Sequence, residues 1–159
     1  MPNIYDAIIA DHDQHRALLN ELADTSGNSI KRQNAWNTFY NDVKSHAAAE
    51  EETFYSKLIS KTWGQDAARH SVHEHQQLDD LMEELNEMDM SSPGWLTKFK
   101  TLKHDYEHHM EEEEEDEVFT RAKEVIEDSE IEGYGERFEA RKKEERGLIE
   151  EKKEDSLED

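Results

Sequence analysis

Val43-Lys44-Ser45-His46-Ala47-Ala48-Ala49-Glu50-Glu51-Glu52-Thr53-Phe54 decides the reading of this chain. Steps of three and four carry one helix face through Val43, His46, Glu50 and Phe54. The same stripe extends back to Phe39 and Trp36 and forward to Leu58. An oily face is thus interrupted near its middle by an imidazole and a carboxylate. His46 and Glu50 are four residues apart, so both side chains leave one face and reach one place.

Three further stripes repeat the interruption. One reads Ile4, Ile8, His12, His15, Leu19, Leu22. Another reads Ala68, Val72, His75, Leu78, Met82, Leu85. The last reads Phe99, Leu102, Tyr106, His109, then Glu113 or Glu114, then Val118, Ala122 and Val125. These spacings predict helices over about 4–23, 29–61, 65–88 and 93–127. The segment Asp24-Thr25-Ser26-Gly27-Asn28-Ser29 reads as a loop, and a break is expected near Thr62-Trp63-Gly64. Ser91-Ser92-Pro93-Gly94 offers an N-cap serine and a first-turn proline. After the break Gly133-Tyr134-Gly135, residues 136–153 are rich in Glu, Lys and Arg, with only Phe138, Leu148 and Ile149 as anchors. A weak fifth helix or frayed tail is expected there, with Asp155 to Asp159 disordered. The chain divides into a helical bundle over 1–127 and a charged segment over 128–159.

Composition agrees with an all-α chain. Apolar residues make up 33% and charged residues 38%, lean for a globular protein but sufficient for helices that each bury one stripe. Glu, Lys, Asp, Leu and Ala favour helix, and no alternating β-branched run predicts a strand. Four long helices with short connections point to an up-down-up-down four-helix bundle with a short extra C-terminal helix or tail. A rough internal repeat supports this: a helix with a central His precedes a helix with His and Glu, and the pair recurs.

Charge and cysteine content exclude several function classes. The formal charge of -22 repels nucleic-acid phosphates and anionic membrane surfaces. With no cysteine there are no disulfides, thiolate zinc sites, iron–sulfur clusters or cysteine catalysis. No window approaches the ~20 apolar residues of a membrane span, and residues 1–10 lack a signal-peptide pattern, so a cytoplasmic protein is expected.

In an up-down bundle the four stripe middles lie at one level, so their polar groups should meet in a single layer. Burying so many unpartnered polar groups would cost several kcal/mol each. Cations shared among them remove the difficulty, and imidazole with carboxylate suits iron, manganese or zinc. His15, one turn from His12, is an extra ligand or an outer hydrogen-bond donor. Tyr40 and Tyr106 read as packing aromatics by default, with hydrogen bonding near the centre as the alternative, and His70, His73, His104 and His108 fall off the stripes. The run Glu111 to Glu117 is mainly a solvated acidic face.

The ordered set His12, His46-Ala-Ala-Ala-Glu50, His75 and His109-Met-Glu-Glu-Glu113 resembles the H…HxxxE…H…HxxxE pattern of hemerythrin-like, or HHE cation-binding, domains. Asp11-His12, Glu50-Glu51 before Phe54-Tyr55, Glu74-His75 and His108-His109 before Phe119 match local wording of that family. The resemblance covers about residues 4–126, and the segment from Gly135 to Lys142 resembles C-terminal helices of bacterial members. It implies a four-helix bundle with two carboxylate-bridged non-haem iron ions held by His12, His46, Glu50, His75, His109 and Glu113. It implies dioxygen or another small diatomic ligand as partner, in carriage, sensing or an iron and redox stress response. Enzymatic turnover of peroxide or nitric oxide ranks second, and a metal-stapled structural or regulatory module third. Two departures stand out. Helix four holds one extra residue between His109 and Val118, which makes Glu114 the alternative to Glu113. The family's usual Pro after Phe is absent at Phe54-Tyr55 and Phe119-Thr120.

Overall fold

The structure, a computed structural model, describes the backbone of residues 3–113 and 117–158 and side chains up to residue 151. It is all-helical among those residues: α1 Ile4–Ala23, α2 Ile30–Glu50, a π-helical turn Glu51–Tyr55, α3 Ser56–Leu58, α4 Thr62–Glu87, α5 Pro93–Glu111, α6 Val118–Val125, a 3₁₀ turn Asp128–Ile131 and α7 Tyr134–Glu158. No described helix is long and apolar enough to cross a membrane.

Local chemistry sets the helix starts. Asn3 Oδ1 accepts from the Asp6 amide at 2.9 Å, and Ser29 Oγ accepts from the Arg32 amide at 3.1 Å. Ser92 caps α5, with Pro93 in its first turn. Gly27 supplies the left-handed backbone of the first loop at φ +59°. Arg32 then ties two loops together. Its guanidinium donates to Thr25 O and Met90 O, each at 2.7 Å, and lies 4.7 Å over the Trp95 ring.

The break between the second and third helical stretches falls at residues 59–61, three residues earlier than the Thr62-Trp63-Gly64 expected from sequence. No glycine or proline marks it; Lys61 simply turns extended at ψ 140° and starts α4. Gly64 sits in the first turn of α4 instead, where an added Cβ would lie 2.0 Å from the Leu58 carbonyl oxygen. Gly64→Ala is therefore expected to force the α3–α4 corner apart and to destabilise by about 1–3 kcal/mol, as overpacking does. Chemical denaturation checks this; a neutral result would contradict the corner geometry.

The fourth stretch, read as one helix over 93–127, is interrupted. α5 stops at Glu111, and the Glu117 amide bonds the Glu112 carbonyl, a wide five-residue step, before α6 begins. The extra residue of this stripe is taken up in that step. The Glu51–Tyr55 π turn does the same for the second stripe, whose spacing drifts through Glu50, Phe54 and Leu58.

α1, α2, α4 and α5 touch in a closed ring: α1 with α2, α2 with α4, α4 with α5, α5 with α1. Two apolar cores lie inside it. One holds Ile4, Ile8, Phe54, Leu58, Ala68 and Phe119, with Phe138 from α7. The other holds Leu19, Leu22, Trp36, Phe39, Met82 and Phe99 among others. α1 and α4 run from the first core to the second; α2 and α5 run from the second towards the first. The interrupting polar residues fall between the two cores. Val72, placed on the α4 stripe from sequence, is 42% exposed, and Ser71 takes the inward position. The seam through 68, 71, 75, 78, 82 and 85 leaves Val72 on the flank.

α7 is not a frayed tail. It forms a 25-residue helix lying against α1 and α2, with Phe138 fully buried. Its backbone is helical through Glu158, so the expected disorder of residues 155–158 is not seen; Asp159 lies outside the described residues. Its sequence reads as a weak helix because, among the described residues, few apolar side chains engage neighbours: Phe138, with Tyr134 and Ile149, beside charged groups such as Lys142.

Candidate metal centre

The structure brings six of the expected residues into one buried layer. His12, His46, Glu50 and Glu113 form one grouping with ligand atoms within 4.8 Å of one another. Glu50, His75, His109 and Glu113 form a second. The two groupings share both carboxylates. All six residues are at most 9% exposed. His15 is also buried, but it belongs to neither grouping: its Nδ1 lies 2.7 Å from the Tyr106 hydroxyl. Glu114 lies outside the described residues.

Each helix supplies its donors at one depth. α1 gives His12, α2 gives His46 and Glu50, α4 gives His75, and α5 gives His109, with Glu113 on the wide step that follows. His46 Nε2 approaches Glu50 Oε2 at 2.7 Å, and His109 Nε2 approaches Glu113 Oε2 at 3.2 Å. His12 Nε2 lies 3.5 Å from Glu113 Oε1, and His75 Nε2 lies 3.8 Å from Glu50 Oε1. Every one of these nitrogens points into the layer.

A chain of acids holds the rings from behind. Asp11, beside His12, accepts from His46 Nδ1 on the next helix at 2.8 Å. Glu51, beside Glu50, accepts from His75 Nδ1 at 2.9 Å. Glu74, beside His75, accepts from His109 Nδ1 at 2.9 Å. A residue next to a ligand sits ~100° around the helix, which aims it at the neighbouring helix. Sequence reading quoted these acids beside the histidines but assigned them no role. It also missed Tyr55, whose hydroxyl donates to Glu113. Of the two tyrosines expected to pack or to hydrogen-bond near the centre, Tyr106 bonds His15 beside the layer, and Tyr40 donates to Glu83 at 2.6 Å outside it. His70, His73, His104 and His108 are exposed, as expected.

The donor set fits a cation on its own chemistry. A carboxylate can only accept, so the Nδ1 atoms of His75 and His109 carry the protons. Their Nε2 atoms meet at 3.2 Å, so with both rings neutral two lone pairs would face each other. Two facing lone pairs repel unless a positive charge sits with them. Both Glu50 oxygens and His46 Nε2 are likewise buried without a properly oriented hydrogen bond.

Electrostatics follow the same layout. Burial alone would raise the Glu50 carboxyl, but the adjacent His46 and His75 hold it well below the usual carboxylate range. Burial opposes Asp11 ionisation too, yet His46 and Lys142 bring its pKa down to about 2. Burial would lower His46, and Glu50 with Asp11 overcomes this and raises it to about 9. Burial, with the charge of His46, drives His15 well below its ordinary value.

These shifts give metal-free protein a definite pH response. His46 titrates above its unfolded value, so its stabilisation is complete below about pH 6.5 and is lost as pH rises through about 9. Asp11 is depressed, so its stabilisation is present above about pH 4 and is lost as pH falls towards about 2. In excess chelator, the His46 contribution of about 3 kcal/mol is expected to disappear between pH 6.5 and pH 10. Denaturant melts across that range check it; an unchanged stability would contradict the assignment.

Comparison with known proteins agrees with the geometry. The crystal structure of a hemerythrin HHE cation binding domain-containing protein from Mycobacterium kansasii superposes with a TM-score of 0.81 at 26% identity, covering 93% of this chain and 90% of that one. A Nostoc sp. protein described as a DNA nickase is 29% identical over 112 residues, 70% of this chain. That stretch is 31% of the Nostoc protein, so the chain spans about a third of its length. The family model for the Hemerythrin HHE cation binding domain matches residues 3–122. With that match over most of its length, and with paired His/Glu groupings that can hold metal at its core, the chain belongs to the hemerythrin HHE cation-binding domain family.

Proposed function

We propose that the protein is a non-haem di-iron protein that binds or senses dioxygen, or a comparable small diatomic ligand, within an iron or redox stress response. The observation that carries this reading is the pair of buried groupings sharing Glu50 and Glu113. His12 and His46 would hold one ion and His75 and His109 a second, with Glu50 and Glu113 available to both. Nitrogen and oxygen donors in this ratio suit iron, and also manganese or zinc. The closed ring of α1, α2, α4 and α5, alternating in direction between two cores, supports an up-down-up-down four-helix bundle as the scaffold.

When bound, a ferrous pair supplies two electrons and an electrophilic position for a small ligand. The chain's own residues do the rest. Asp11, Glu51 and Glu74 fix the tautomer and orientation of three imidazoles. Tyr55 holds Glu113 through its hydroxyl proton. A cavity of about 950 Å³ opens beside the layer, bordered by His46, His75, Val43, Leu78, Met82 and Tyr106. Its wall mixes apolar side chains with Lys44, Glu51, Asp79 and Glu145, so it gives a small ligand a path to the His46 and His75 rings. Nicking of DNA is not carried over from the Nostoc relative, because the charge of -22 repels phosphodiesters.

The test is anaerobic loading with ferrous ion followed by air. A visible absorption band that appears with air and fades under argon supports the reading; a protein that takes up two irons but stays spectrally silent in air contradicts it.

A further inference from the structure

The C-terminal helix α7 lies beyond the residues matched by the family model, yet it reaches the centre. Lys142 Nζ donates to Asp11 Oδ1 at 2.8 Å, and Asp11 Oδ2 accepts from His46 Nδ1 at 2.8 Å. Lys142 is 9% exposed and Asp11 7%. One turn earlier on α7, Phe138 is fully buried and meets the His46 ring edge-on, with centroids 5.4 Å apart and planes at 87°. The Lys142 ammonium also sits 5.0 Å over the Phe138 ring and pairs with Glu139 at 3.0 Å. Two side chains of α7 thus close on one imidazole, one through its edge and one through its acid.

The other two acids are not held in this way. Among the described residues, neither Glu51 nor Glu74 has a lysine or arginine partner; besides His109, Glu74 meets only the His70 ring, at 3.3 Å. Asp11 alone has both oxygens engaged by charged or ring N–H donors. A carboxylate that shares its charge with an ammonium is a weaker acceptor, so it draws less on the His46 Nδ1 proton. His46 is then a poorer electron donor through Nε2 than His75 or His109. On the His75/His109 side the acids Glu51 and Glu74 stand behind the rings, and on the other side Asp11 stands behind His46; α7 adds a further difference through Lys142 and Phe138.

We infer that Lys142 is a positioning residue for the metal centre: through Asp11 it sets the orientation and donor strength of His46 and so tunes one of the two metal positions and not the other. The inference rests on the reading of His46 as a ligand. It assigns the charged C-terminal helix a role in the centre that its composition does not suggest.

The test uses full-length protein loaded with cobalt(II), whose ligand imidazole N–H protons give separate, paramagnetically shifted resonances. The variants are Lys142→Met, Lys142→Gln, which keeps a donor without charge, and Lys142→Arg, which keeps both. In Lys142→Met and Lys142→Gln the His46 N–H resonance is expected to move while those of His75 and His109 hold still. Cobalt affinity at one of two sites should rise, by up to about tenfold, because Asp11 freed of the ammonium draws harder on the His46 Nδ1 proton and makes Nε2 the stronger donor. Lys142→Arg should restore the wild-type spectrum. Unshifted resonances in both neutral variants overturn the inference. So does a lowered melting temperature with the three resonances moving together, since that marks a purely structural role. Wild-type protein that takes up no cobalt overturns the metal reading itself, a result distinct from either.

Discussion

Glu50→Ala is expected to abolish metal binding at both positions, not one. Glu50 is fully buried and belongs to both four-donor groupings. Its two oxygens face different imidazoles: Oε2 lies 2.7 Å from His46 Nε2, and Oε1 lies 3.8 Å from His75 Nε2. Loss of an outer partner alone typically costs 10–100-fold in affinity, so loss of a shared ligand should exceed about 100-fold. Metal content after desalting should fall from two ions per chain to nearly none. His75→Ala, by contrast, removes a donor from one grouping only and should leave one ion bound. Isothermal titration separates the outcomes. Two ions retained in Glu50→Ala would refute the shared-carboxylate layout.

Phe138→Ala is expected to cost about 3–5 kcal/mol, the range for deleting a buried aromatic ring. Phe138 is fully buried, packs into the core with Ile4, Ile8 and Phe54, and contacts the His46 ring. Among the described side chains no other large apolar residue of α7 is fully buried, so its removal strips the helix of its main anchor. A melting temperature lower by about 10 °C is expected for a chain of this size. Leu148, on the same helix but 44% exposed, serves as the control, with a change within about 0.5 kcal/mol on conversion to alanine. If the two variants melt alike, α7 is only a loosely attached tail.

The apolar stripes were legible because burial on a helix imposes steps of three and four, and those steps survive interruption by polar residues. His12, His46, Glu50, His75, His109 and Glu113 stand out from their positions on the stripes and the motif they spell, and the structure gathers them into one buried layer. Less was legible where burial depends on distant partners. Val72 and Ser71 are neighbours on α4, and only the packed seam decides which turns inward. The corner at 59–61 has no glycine or proline to announce it. α7 reads as a polar surface helix, since one buried Phe and charged side chains such as Lys142 and Arg146 do most of its anchoring. The acids behind the histidines were hidden for a different reason. In a chain with 41 Asp and Glu, any carboxylate beside a His looks like solvated surface. What distinguishes Asp11, Glu51 and Glu74 is that each faces the next helix, and that becomes visible only once the ring of helices is closed. Tyr55 was missed because the π turn re-aims it inward, a shift that no regular helical period foretells.

Anomalous diffraction at the iron edge, on crystals of protein isolated with its native metal, tests the central claim most directly. Two peaks are predicted, one among His12, His46, Glu50 and Glu113, the other among His75, His109, Glu50 and Glu113. Density without metal in that layer, with the four imidazoles bonded only to protein or water, would contradict it.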